Sequence, residues 1–126
     1  MKSESARTVE VPVPDVSFVS WERLPDRKLP EEPAPGVVPD LAVEVLSRDN
    51  TAAEMDRKLR DYFAAGTRLV WYIDPPTRSA RVYTAVDQGT RIDESRALSG
   101  GEVLPGFKLS LAELFARADR RGQQGS

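Results

Sequence analysis

The chain has 126 residues, 40% hydrophobic and 30% charged, with 18 Lys and Arg against 20 Asp and Glu, and it contains neither His nor Cys. That length suits one core and is too short for two ordinary domains, and a net charge of −2 advertises no polyanion-binding surface, so any nucleic-acid contact must come from a local cluster. The missing residue types exclude a Ser-His-Asp triad, HNH-type and HExxH centres, thiolate nucleophiles, zinc ribbons, iron–sulfur clusters and disulfides; carboxylates, Lys, Arg, Tyr and Ser remain for catalysis, and a metal would be a hard, oxygen-bound cation such as Mg2+ or Mn2+.

In chain order, residues 1–8 read as a disordered tail. Residues 9–19 alternate apolar positions as a strand does, but Pro12 and Pro14 interrupt them and place the segment at an edge or bend. Residues 21–39 carry five prolines and no sustained period, which predicts a long surface loop. Residues 41–46 form a short, β-branched apolar run between Pro39 and the turn formers that start at Ser47, and so read as a buried strand. Asp49, Asn50 or Thr51 can cap a helix that runs to about Ala65, stopped by Gly66, with Ala52, Met55, Leu59, Tyr62 and Phe63 as its apolar stripe.

Residues 68–74 predict a second buried strand, closed by Pro75 and Pro76, and residues 80–86 return as its hairpin partner. Trp71 and Tyr72 alternate on that strand and are expected in the core. A weaker segment at residues 90–98 suggests an edge strand, and Ser110 with Glu113 predicts a capping box for a last helix from Leu111 to about Ala118. Residues 121–126 read as a second disordered tail, leaving one domain with its core over residues 9–118. No apolar run approaches the roughly 20 residues of a membrane span, and the start of the chain lacks a signal-peptide apolar region, so a soluble, cytoplasmic protein is expected.

Glu44 is the anomaly, because burying an unpaired carboxylate within a strand costs several kcal/mol. It must lie at a surfaced end of the sheet, pair with a cation such as an Arg, or hold a metal ion. Asp40 is a poor partner on a shared ion, since four residues along a strand span roughly 13 Å, whereas each carboxylate needs an oxygen about 2.1 Å from Mg2+. Asp15 is better placed, because it belongs to a different strand-like segment and adjacent strands lie only about 4.8 Å apart. Lys58, at the margin of the helix stripe between Met55 and Tyr62, can send its ammonium toward the same place, either to orient a water and offset charge on a phosphate or simply to reach solvent. Arg48, Arg57, Arg60 and Arg68 gather around the helix, where Asp56 and Asp61 can pair with them, so they read as a solvated face.

The succession PDVSFV, a loop, PDLAVEVLS, a helix bearing Lys58, then YFAAG, LVWYIDP and LPGFKLSLAELF resembles the Uma family of restriction-endonuclease-like proteins, a branch of the PD-(D/E)XK nuclease superfamily. The resemblance covers residues 9–116. It implies an α/β, restriction-endonuclease-like core with a central mixed β-sheet flanked by helices, and a divalent-metal-dependent endonuclease that hydrolyses phosphodiester bonds in DNA. Asp15 matches the Asp of the PD motif, Glu44 the acid of the (D/E)XK strand, and Lys58 a lysine moved onto the helix, while Leu46 stands where the lysine would ordinarily be. Asp15, Glu44 and the backbone carbonyl of Val45 would then hold Mg2+ (or Mn2+). Family members commonly begin with a further segment that contributes an acid and covers one side of the sheet, and this chain starts almost at PDVSFV. The expected consequence is an inactive short form, a homodimer that compensates, or a fragment of a longer protein; the alternative to the enzyme is a catalytically silent interaction module in which Glu44 pairs with an Arg and the loop over residues 21–39 mediates contact.

Overall fold

The computed structural model describes residues 12, 14–20 and 38–124. Five strands form one sheet in the spatial order β1 (Val16–Phe18), β2 (Leu41–Val45), β3 (Leu69–Asp74), β4 (Ser79–Ala85) and β5 (Gln88–Asp93). The β2–β3 pairing is parallel and the other pairings are antiparallel. Parallel neighbours need a crossover connection, which helix α1 (Ala52–Ala65) supplies. A separate two-stranded ladder of β6 (Ala97–Ser99) and β7 (Lys108–Ser110) leads into helix α2 (Leu111–Gln124).

The two-residue period of the strands sorts their side chains between two cores. Leu41, Val43, Leu69, Trp71, Ile73, Ala80 and Ile92 point one way, to pack with Leu98, Leu111 and Phe115 from the β6–β7 ladder and α2. Ala42, Val70 and Tyr72 point the other way, beneath Met55, Leu59 and Tyr62 of α1. The molecule is therefore a mixed sheet flanked by helices. Trp71 and Tyr72 are both buried, on opposite faces, as their alternation predicts.

Helix α1 begins where Thr51 accepts from the Glu54 N–H and Glu54 in turn accepts from the Thr51 N–H, a reciprocal capping box. It ends at Gly66, whose φ of 112° lies in the left-handed region that a side chain disfavours, and the N–H of Thr67 there closes on the Tyr62 carbonyl.

The structure departs from expectation in three places. The segment expected as a single edge strand divides between β5, which pairs with β4, and β6, which leaves the sheet to pair with β7. Three-residue strands paired across an intervening turn leave almost no local period to read. Helix α2 runs past Ala118 to Gln124, so residues 121–124 are helical and not a disordered tail. The first strand is confined to Val16–Phe18, beyond Pro14. The tail at residues 1–8 and most of the proline-rich loop, residues 21–37, lie outside the described residues.

Candidate active site

On β2, the period that sends Val43 to the α2 side sends Glu44 beneath α1, where it is only 5% exposed. Its carboxylate is not left bare. The Tyr62 hydroxyl donates to Oε2 at 2.5 Å, and Lys58 Nζ lies 3.5 Å from Oε1. Lys58 and Tyr62 are four residues apart and therefore share one helix face, and helical side chains lean back toward the N-terminus, so both reach the same carboxylate. No Arg takes this role among the described residues.

Asp15 stands directly before the neighbouring strand β1. Val16 pairs with Val43 and Ser17 with Ala42, so continuing that register by one step sets Asp15 opposite Glu44. Its Oδ2 accepts the Val45 N–H at 2.6 Å, while its side chain stays exposed at the sheet margin. The sequence-predicted trio of Asp15, Glu44 and Lys58 is thus brought together at one end of the β1–β2 ladder.

Asp40 has a different task, at the opposite end of β2. It accepts the Ser20 N–H at 2.7 Å and lies 3.7 Å from Arg68. Arg60 pairs with Asp56 at 3.1 Å on the exposed face of α1. Two of the four arginines expected as a solvated face are therefore engaged by acids.

Tyr62 was legible only as part of the apolar stripe. Its hydroxyl is pushed far above the usual tyrosine range, first by burial and then by its hydrogen bond to Glu44 and that carboxylate's charge, with a smaller contribution from Asp15. It therefore stays a donor through the neutral range. Tyr72 is shifted the same way, by burial first and the Glu44 charge second, and its hydroxyl donates to the Met55 carbonyl at 2.6 Å. A Tyr four residues after the lysine, beside a Phe at 63 that would have packed as well, was the available signal.

The acids at this margin, Asp15 and Glu44, offer carboxylate oxygens, which are hard donors. No group of three or more His, Cys, Asp or Glu side chains suited to a metal occurs among the described residues. The set fits a hard divalent cation that keeps part of its water shell, which is the habit of Mg2+, and not a soft metal that needs His or Cys.

The sheet with its flanking helices and this marginal acid pair defines an α/β fold of restriction-endonuclease-like type. The family model described as "Uma2: Putative restriction endonuclease" matches residues 6–112, and the chain belongs to that family. Its fold is similar to that of a crystal structure described as a putative nuclease belonging to DUF820 from Anabaena variabilis, with a TM-score of 0.67 and 24% sequence identity. That match covers 83% of this chain and 60% of the other, so this chain spans less than two thirds of the length of the solved protein. No curated protein matches the chain. Among the described residues, no helix is long and apolar enough to cross a membrane.

Proposed function

We propose that this protein is a divalent-metal-dependent endonuclease that hydrolyses phosphodiester bonds in DNA in the cytoplasm, with Asp15, Glu44 and Lys58 as its catalytic residues. The observation that carries the reading is the meeting of a buried Glu44 with Asp15 across one strand register and with Lys58 at 3.5 Å. A structural carboxylate gains nothing from a second acid placed opposite it, since like charges repel. A cation site needs that pairing.

Asp15, Glu44 and the Val45 carbonyl would hold Mg2+ or Mn2+. When bound, the ion supplies a more acidic water and polarises the scissile phosphate. Glu44 is held in place by the Tyr62 hydroxyl, which leaves Oε1, the oxygen nearest Lys58, as the one directed to the site. Oδ2 of Asp15 already accepts the Val45 N–H, so Oδ1 is its free oxygen among the described contacts. Lys58, with a side chain 30% exposed, is near enough to orient the attacking water and offset charge that develops on phosphate oxygens.

The test is calorimetric titration of Mg2+ and Mn2+ into the wild type and Glu44→Ala, followed by incubation of both with supercoiled plasmid. Binding and nicking in the wild type that are lost in the variant support the assignment. Equal metal affinity in the two proteins overturns it.

A further inference from the structure

The register that aligns Asp15 with Glu44 continues across the whole sheet. Glu44 pairs with Tyr72, Tyr72 with Arg81 and Arg81 with Arg91, so one row on the α1 face reads Asp15, Glu44, Tyr72, Arg81, Arg91. Helix α1 covers this row only as far as Tyr72. Beyond it Arg81 and Arg91 are exposed. Neither has a carboxylate within 4.0 Å among the described residues, unlike Arg60, Arg68 and Arg78.

Both arginines line an open cavity of about 210 Å³ with Tyr72 and Asp74, and Arg81 also lines an adjoining trough of about 550 Å³ that extends under the first turns of α1. Neither cavity includes Asp15, Glu44 or Lys58, so this is a separate surface beside the acid pair. Its own acids are accounted for. Asp56 is held by Arg60, and Asp74 and Asp93 form the next row of the same face, through their common partner Ser79. Those two would repel an anion and confine it to the arginine row.

We propose that Arg81 and Arg91 form a phosphate-binding rim for a nucleic-acid strand that crosses the sheet from the Asp15–Glu44 site. The proposal rests on the nuclease reading for its direction and deepens it by naming residues that hold the substrate away from the chemistry. At about 4.8 Å per strand, Arg81 stands roughly 10 Å and Arg91 roughly 14 Å from the Glu44 strand. A duplex strand advances about 3.4 Å per nucleotide along its axis while its phosphates wind around that axis, so these positions lie within a few nucleotides of the scissile phosphate. Guanidinium forks recognise phosphate oxygens in pairs, and cations of this kind set affinity and register without reading sequence. Arg48, in the turn between β2 and α1, also faces solvent.

The test is fluorescence-anisotropy binding of a labelled 20-nucleotide DNA, single-stranded and duplex, to the full chain in EDTA at several salt concentrations, with plasmid nicking measured separately in Mg2+. The proteins are the wild type, Arg81→Gln, Arg91→Gln and, as a charge-matched control, Arg117→Gln on the exposed side of α2. Each rim substitution is expected to weaken binding and to lower the slope of log affinity against log salt by about 0.7–0.9, with the control unchanged. A slope that stays at the wild-type value in both rim variants, or falls equally in the control, overturns the rim even if nicking persists. A wild type that binds with the expected slope changes yet never nicks upholds the rim and removes the nuclease reading. A wild type that does not bind DNA removes the rim.

Discussion

Tyr62 and Glu44, eighteen residues apart in sequence, are joined by a hydrogen bond of 2.5 Å between two side chains that are both almost wholly removed from water. The bond decides how a carboxylate can be accommodated within a strand, since it gives a buried acceptor a donor that burial itself keeps protonated. Tyr62→Phe removes the donor and nothing else of consequence in size. The expected cost is about 1–3 kcal/mol in urea unfolding, the usual range for a buried acceptor left short of a partner. A loss under about 0.5 kcal/mol, well below that range, would mean that Lys58 and water satisfy Glu44 unaided.

The same burial gives the fold an alkaline limit. Tyr62 and Tyr72 both hold their protons in the folded chain above the ordinary value of 10.0, whereas the unfolded chain releases them near it. Above pH 10 the unfolded state therefore binds fewer protons, and stability falls as pH rises, by up to about 1.4 kcal/mol per pH unit for each hydroxyl. Below pH 10 neither group contributes a slope. Unfolding curves from pH 8 to 11.5 should show this break, and Tyr72→Phe should flatten the decline.

Lys58 is expected to separate rate from metal binding. Its ion pair with Glu44 is part-exposed, so the Lys58→Met variant should lose no more than about 1 kcal/mol of stability. Its nicking rate should fall on the order of a hundredfold, the scale of a lost electrostatic donor at a reacting phosphate, with the Mn2+ dissociation constant changed less than threefold. A variant that nicks like the wild type would reassign Lys58 to a purely structural pairing with Glu44.

Gly66 tests the end of α1 separately from the acid pair. At φ 112°, an added Cβ strains the backbone even though the nearest atom, in Val38, is 3.9 Å away. Gly66→Ala should cost about 1–2 kcal/mol and lower the melting temperature. Metal affinity should not move, because Glu44 and Asp15 are placed by β2 and β1 and not by the helix end.

Much of this was legible before any coordinates. An apolar run broken by one carboxylate, then a capped helix, then a second apolar run specify β2, α1 and β3, and strand spacing alone prefers Asp15 over Asp40 as the partner of Glu44. Periodicity ranks a tyrosine by its ring, so it could not show that the Tyr62 hydroxyl would be the main support of Glu44. Arg81 and Arg91 were invisible as a pair, because only the β4–β5 register sets them side by side. That register contains a bulge between Tyr83 and Ala85 which no local pattern announces. The β6–β7 ladder escaped for a related reason, its pairing being made between segments too short to carry a period.

Glu44 rides on β2 and Asp15 stands directly before β1, whereas the lysine and its neighbouring tyrosine ride on a helix that a Thr51–Glu54 box and a single glycine hold at its ends. An excursion that loosens α1 and spares the sheet takes away both of Glu44's partners at once, and leaves two facing carboxylates with no compensating cation. The free energy of that local opening, readable as amide exchange in α1, sets the fraction of molecules that hold a complete constellation at any instant. Substitutions at the helix ends, far from any phosphate, therefore tune the population of ready molecules without altering the geometry within each one.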